Sequence, residues 1–225
     1  EMKFDIITLF PEMFSAIKKE GVIARAMKNS LISINTWQLR DFSLNKYKNV
    51  DEKPYGGGPG MVIQVKPIRD CISKIKQLSP NTKVIYLSPQ GKKLDQSLVE
   101  ELATFESITM LCGRYEGIDE RIIENDIDFE ISIGDYVISG GELAAMVVID
   151  GISRCLPGVL GNEMSLKDSF TDNLLDCPHY TRPESIDGQT VPEVLLSGNQ
   201  AKIDAWRLEQ SIKKTKQKRP DLLLK

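Results

Sequence analysis

The sequence has little of what disulfide scaffolds, structural zinc sites and membrane spans require. Its 225 residues hold four cysteines, Cys71, Cys112, Cys155 and Cys177, and one histidine, His179. No two cysteines form a C-x2-C pair, which argues against a zinc centre and a disulfide framework and suits a reducing cytoplasm. A thiol nucleophile is weakly motivated, because no histidine stands near Cys112 in sequence. No run of 18 apolar residues occurs, and the start shows no basic stretch followed by a processing site. There is no excess of positive charge either. The net charge is −3, so no global field advertises nucleic-acid binding, although a local basic face remains open. The glycine run Gly56-Gly57-Gly58-Pro59-Gly60 lacks the Gly-Lys-Ser/Thr of a phosphate loop. Met61 also stands where a dinucleotide-binding turn needs its third glycine. No internal repeat is evident.

What is present is ordinary globular material, 41% hydrophobic and 27% charged, enough for one large α/β domain and a small one. Strand and helix patterns alternate over the first 160 residues. Lys3–Leu9, Leu31–Leu39, Met61–Val65, Lys83–Leu87, Ser107–Leu111 and Phe129–Ile133 read as strands. Helices are expected over Pro11–Lys19 and Gly21–Lys28, and another starts at Pro67, with Ile68, Cys71, Ile72, Ile75 and Leu78 on one side. Asp95 is placed to cap a further helix carrying Leu98, Val99, Leu102 and Phe105. Ile118–Glu124 reads as helical. Ser139-Gly140-Gly141-Glu142 has capping-box spacing before an almost wholly apolar helix, Glu142–Cys155. Such a helix is buried in a core or under a partner, so a homodimer across it is expected. Alternation of this kind predicts an α/β layer with a mostly parallel sheet, whose ligand edge lies at the carboxyl ends of the strands.

Residues 40–60 read as a long surface loop. After residue 160 the chain is turn-rich, and a flexible linker is expected over 161–170. Ser197-Gly198-Asn199-Gln200 repeats the capping-box spacing before a helix from Asn199 to about Lys216. Residues 202–225 hold eight Lys/Arg against three acidic residues, a local excess of five positive charges. That face is either simply solvated or an RNA-backbone contact.

Three glycine-rich turns, at 88–91, 113–117 and 134–141, each follow a strand. They are either ordinary turns of an α/β sheet or a set of peptide groups offered to a flat polar ligand. Arg154, near the end of the apolar helix, is either one half of a structural ion pair or a rigid donor fork for an electron-rich ring. Asp168 and Asp176 read by themselves as solvated or capping carboxylates. His179 has the titration range of a general base but equally that of a structural hydrogen-bonder.

Several stretches, in order and over nearly the whole length, resemble the bacterial tRNA (guanine-N1)-methyltransferase family. They are FDIITLFPEMF (4–14), YGGGPGM (55–61), YLSPQG (86–91), LCGRYEGIDER (111–121), IGDYVISGGE (133–142), RCLPG (154–158) and DSFTDNLLDCPHYTRP (168–183). The resemblance implies an α/β sheet domain over 1–160 tied into a C-terminal trefoil knot of SPOUT type, a topology that general rules of chain connection would reject. A small, mainly helical tRNA-binding domain over 171–225 follows. It implies that S-adenosylmethionine lies among the three turns. The lining residues it implies are Tyr86, Leu87, Ser88, Pro89 and Gly91, then Gly113, Tyr115 and Glu116, then Ser132, Ile133, Gly134, Asp135, Tyr136, Val137, Ile138, Gly140 and Gly141. It implies Asp168 as general base, Arg154 as the group that stabilises charge on guanine O6, and Asp176 in support. The substrate implied is tRNA with guanosine at position 37, with RNA contacts from the last helix, Arg182 and Arg207. A homodimer, in which the C-terminal domain closes the partner's donor site, and a magnesium requirement also follow. No carboxylate cluster specifies a metal site, so no metal ligand is assigned. Rival readings are a knotted methyltransferase acting on another RNA atom, such as a ribose 2′-hydroxyl, and a non-catalytic RNA-binding module. Ile138, where the family often has leucine, is the small departure.

Overall fold

The computed structural model describes residues 1–161 and 168–224. The chain divides into two compact units at residue 161. Most of the linker expected over 161–170 falls on 162–167, outside the described residues.

The first unit is built on a five-stranded sheet, every pairing in it parallel, of β1 (Met2–Thr8), β2 (Ile32–Gln38), β5 (Lys83–Lys93), β6 (Ser107–Cys112) and β7 (Phe129–Ser132). Their order is β2-β1-β6-β5-β7. β6 is buried at every position and β1 at all but one. Strands with both faces covered need apolar residues throughout rather than in alternation. On one face Phe4, Ile6, Ile85 and Met110 pack with Ala145, Val148 and Ile149 of α6 (Gly141–Arg154). On the other, Ile7, Val84 and Leu111 pack with Ile68, Cys71, Ile72 and Ile75 of α3 (Val65–Leu78). Helices on both faces of a parallel sheet are the architecture the alternation predicted.

The remaining elements of this unit are α1 (Ser15–Lys19), α2 (Gly21–Lys28), α4 (Gln96–Leu102) and α5 (Glu120–Asp126). Several differ from expectation. The helix expected over Pro11–Lys19 is a 3-10 turn, Pro11–Phe14, running into α1. α3 begins two residues before Pro67, which a first-turn proline allows. The strand expected over 61–65 is not part of the main sheet. Val62–Ile63, β4, pairs antiparallel with Asp51–Glu52, β3, inside the stretch read as loop. Asp95 caps α4 as expected, accepting from the Leu98 N–H at 3.0 Å. Glu142 makes no capping box, because the N-cap of α6 is Gly140 and no side chain caps it.

The second unit is mainly helical. Its long helix, α8 (Gln200–Lys218), follows the short α7 (Glu193–Leu196) and a two-residue hairpin, β8 (Ser185–Ile186) with β9 (Gln189–Thr190). Asn199, not Ser197, caps α8, accepting from the Lys202 N–H at 3.2 Å. The buried Thr215 hydroxyl accepts from the Leu175 N–H at 2.9 Å and donates to the Ser211 carbonyl at 2.7 Å. That ties the segment after Asp168 to the helix. Tyr180 and Trp206 meet as a tilted ring pair. No described helix is long and apolar enough to cross a membrane.

A candidate donor cavity at three glycine-rich loops

The middle of β5 and the carboxyl ends of β6 and β7 open onto one cavity of about 370 Å³. Its first wall is not a turn after β5 but a bulge inside it. Leu87 and Lys92 both pair with Ile131 of β7, so Ser88–Gly91 are spare residues pushed out of the ladder. The second wall, Gly113–Ile118, turns through a Gly117 N–H to Arg114 carbonyl bond and a left-handed Tyr115. It is stapled to the neighbourhood of β4, with the Glu116 N–H on the Met61 carbonyl and the Ile63 N–H on the Gly117 carbonyl, each at 3.0 Å. The third wall runs from Ser132 to Gly141. The Ser132 hydroxyl donates to the Gly134 carbonyl at 2.9 Å, and the Gly141 N–H donates to the Gly113 carbonyl at 3.0 Å.

Gly141 brings the end of the third wall against the end of β6. A Cβ there would lie 2.8 Å from the Cys112 Cα, so no larger residue fits without shifting backbone. Tyr86 forms part of the lining and is 7% exposed. Burial, with Glu130 and Glu120 nearby, pushes its phenol up to about 12, so it stays neutral. The charged groups of the lining are Arg114, Glu116 and Glu120. Arg114 is already met by the buried Glu142 at 3.3 Å. Glu116 and Glu120 are both exposed.

Of the residues expected to hold a cofactor, Tyr86, Leu87, Ser88, Pro89, Gly113, Tyr115, Glu116, Ser132, Ile133, Gly134, Tyr136, Val137, Ile138, Gly140 and Gly141 line this cavity. Gly91 and Asp135 do not. Gly91 lies so close to the Glu130–Ile131 backbone that no Cβ fits there. Asp135 faces Lys93 at 2.5 Å. Sequence reasoning missed Gln90, Arg114, Gly117, Ile118, Glu120, Ile123, Ile131, Ser139 and Ala144. Gln90, Arg114, Gly117 and Ser139 stood within the three turns read as a candidate ligand site without being singled out, whereas Ile118, Glu120, Ile123, Ile131 and Ala144 lie outside those turns.

The three residues expected to act in catalysis are not in the lining. Arg154 is the last residue of α6, whose first turn borders the cavity. At 1.5 Å per residue it stands about 20 Å along the helix from Gly141. Asp168 and Asp176 belong to the second unit. Asp168 is exposed, and its carbonyl accepts from the Thr171 N–H at 3.3 Å. The Asp176 carboxylate takes the Cys177 N–H at 2.7 Å and meets His179 Nε2 at 2.7 Å. Burial alone would raise it, but the His179 and Cys177 hydrogen bonds prevail and hold it below the usual carboxylate range. The expected RNA contacts Arg182 and Arg207 are both exposed. All four cysteines are pushed up by burial, Cys71 to about 12, so none is poised as a thiolate.

Among the described residues, Asp176, Cys177 and His179 are the one group whose ligand atoms lie close enough to share an ion. A thiol and an imidazole do not suit magnesium, which takes oxygen ligands.

The family model for tRNA (Guanine-1)-methyltransferase TrmD matches residues 2–225. The chain is 59% identical over 220 residues to the tRNA (guanine-N(1)-)-methyltransferase of Vibrio vulnificus (strain YJ016), covering 97% of this chain and 88% of that protein. It is 59% identical over 224 residues to the enzyme of the same name from Cronobacter sakazakii, covering 99% and 87%. It is 58% identical to that from Escherichia coli O127:H6, covering 99% and 88%.

Proposed function

The chain belongs to the tRNA (guanine-1)-methyltransferase family, and from that premise we infer that it methylates N1 of guanosine 37 in tRNA, as a cytoplasmic homodimer. Membership carries with it the enzyme class, S-adenosylmethionine as donor, tRNA as substrate and the trefoil-knotted sheet domain. The observation that carries the placement of the donor is the convergence of three glycine-rich segments on one cavity. Glycines there let a flat base and a ribose approach peptide groups that side chains would otherwise cover. The donor supplies an electrophilic methyl group on a cationic sulfonium. Glu116 and Glu120 in the lining suit that charge.

Guanine N1 carries a proton at neutral pH and is a poor nucleophile while it does. Asp168 accepts that proton as N1 attacks. Arg154 donates hydrogen bonds to O6, where negative charge grows as the proton leaves. Asp176, held anionic by His179, supports the segment that carries Asp168. The exposed cations of α8, with Arg182, contact the RNA backbone. A magnesium requirement belongs to this reading without an assigned ligand set.

The placement of Arg154 favours a dimer. Leu143 and Val147 are about half exposed on α6, and with Asp150 and Arg154 they lie at positions i, i+4, i+7 and i+11, one stripe of the helix. Two copies of α6 packed antiparallel along that stripe carry Arg154 of each toward the start of the other, beside the other's cavity.

The test is transfer of labelled methyl from S-adenosylmethionine to tRNA bearing guanosine at position 37, with the product nucleoside identified by mass spectrometry. Asp168→Ala is expected to lower kcat by about a hundred- to ten-thousandfold while donor binding is retained. Full activity in that variant removes the assigned base. A 2′-O-methylated product replaces the reading with the ribose alternative.

A further inference from the structure

Glu142 is the fully buried carboxylate of the first unit, with an exposure of 0%. Thr8 Oγ1 donates to its Oε1 at 3.1 Å and Arg114 Nε at 3.3 Å. Its other oxygen, Oε2, accepts from no described donor. Burying a carboxylate costs several kcal/mol unless its oxygens are fully partnered, and an apolar residue of similar size often serves stability as well or better. The N-terminus of α6 offsets part of that cost. Stability alone does not account for a half-satisfied acid here.

What Glu142 holds does account for it. Arg114 leaves the second cavity wall and crosses to the third. Its Nη1 meets the Ser139 carbonyl at 3.4 Å, and its guanidinium lies 4.6 Å from the centre of the Phe10 ring. It passes so close to Gly140 that a Cβ there would strike Nε. One buried acid thus links the end of β1, through Thr8, to a strut that spans both walls.

We propose that Glu142 is a positioning residue for methyl transfer: it fixes Arg114 as the strut that holds the second and third walls of the donor cavity at the spacing the donor needs. This rests on the donor-site reading above. Glu142 touches neither donor nor RNA and acts through Arg114. Glutamine at position 142 keeps the volume and an acceptor for Thr8 but removes the charge that grips the guanidinium.

The experiment is calorimetric titration of the full chain with S-adenosylmethionine, for the wild type, Glu142→Gln, Arg114→Ala and the double variant, with near-UV circular dichroism to verify the fold. Glu142→Gln is expected to weaken donor binding about tenfold, to leave tRNA binding at its wild-type Kd, and to raise KM for the donor far more than it lowers kcat. The double variant is expected to bind no worse than Arg114→Ala, because both remove the same strut. Arg114→Lys, which keeps the charge and loses the fork, is not expected to restore binding. A folded Glu142→Gln chain with the wild-type donor Kd overturns the proposal, and so do additive losses in the double variant. Should Glu142→Gln fail to fold, wild-type donor binding by Arg114→Ala overturns it instead. A wild-type chain that binds no donor defeats the donor-site reading itself. A wild-type chain that binds as Glu142→Gln does defeats the positioning role alone.

Discussion

At the scale of single residues the carboxylates divide by what surrounds them. Asp119, the N-cap of α5, accepts from the backbone N–H of Arg121 and from its guanidinium, at 3.0, 2.9 and 2.7 Å. The side-chain bond to Arg121 is the largest influence and holds Asp119 at about 2 against an ordinary 3.8. A carboxyl lowered in the folded state contributes stability that is present above 3.8 and is lost as pH falls through about 2. Asp119→Asn keeps a capping oxygen but cannot titrate. Urea midpoints at stepped pH are expected to fall more steeply for the wild type than for this variant in that window. Parallel curves would show that the pair adds nothing, as exposed ion pairs often do. Asp95, Asp119 and Asn199 all cap helices, but the sequence pattern marked only Asp95 as a cap, placing Asp119 inside a helix over Ile118–Glu124 and opening the last capping box at Ser197. Glu142 was not legible in this way. Its spacing from Ser139 suggested a local box, but the N-cap is Gly140 rather than Ser139, and its partners are Thr8 and Arg114, far away in sequence.

At the scale of elements, β5 and α6 carry the site. Lys83–Leu87 was readable as a strand from its apolar run, but its continuation to Lys93 was not. Ser88-Pro89-Gln90-Gly91 has the composition of a turn, and only pairing with β7 on both sides of the bulge keeps the strand going. Gly91 is required by that pairing. Gly91→Ala is expected to cost about 1–3 kcal/mol through its clash with the Glu130–Ile131 backbone. Asp135→Ala, whose side chain is 77% exposed, is expected to stay within about 0.5 kcal/mol. Guanidinium denaturation of the two variants checks the contrast, and equal stabilities would show that β7 moves aside freely. The apolar composition of α6 predicted burial all round. In the single chain Leu143 and Val147 are open, and the stripe they form also bears Arg154.

At the scale of the whole molecule the proposed dimer makes each reaction site a joint product. In that arrangement the donor lies in one copy, while Arg154 and Asp168 come from the other. Gly113→Leu, which fills the cavity, and Asp168→Ala are each expected to be inactive alone. Mixed and allowed to exchange subunits in equal amounts, they are expected to regain about a quarter of wild-type activity, since half the dimers are mixed and each has one intact site. No recovery after verified exchange would place donor and base in the same copy. The sequence by itself determined the parallel α/β class, the helical C-terminal part and, through ordered motifs, the family. Apolar periodicity and short-range capping are local properties, and motif spacing survives in one dimension. Only tertiary structure decided that residues 88–91 form a bulge and that Glu142 turns inward to a strut. Each of those depends on which distant backbone or charge lies opposite, and no local pattern encodes that.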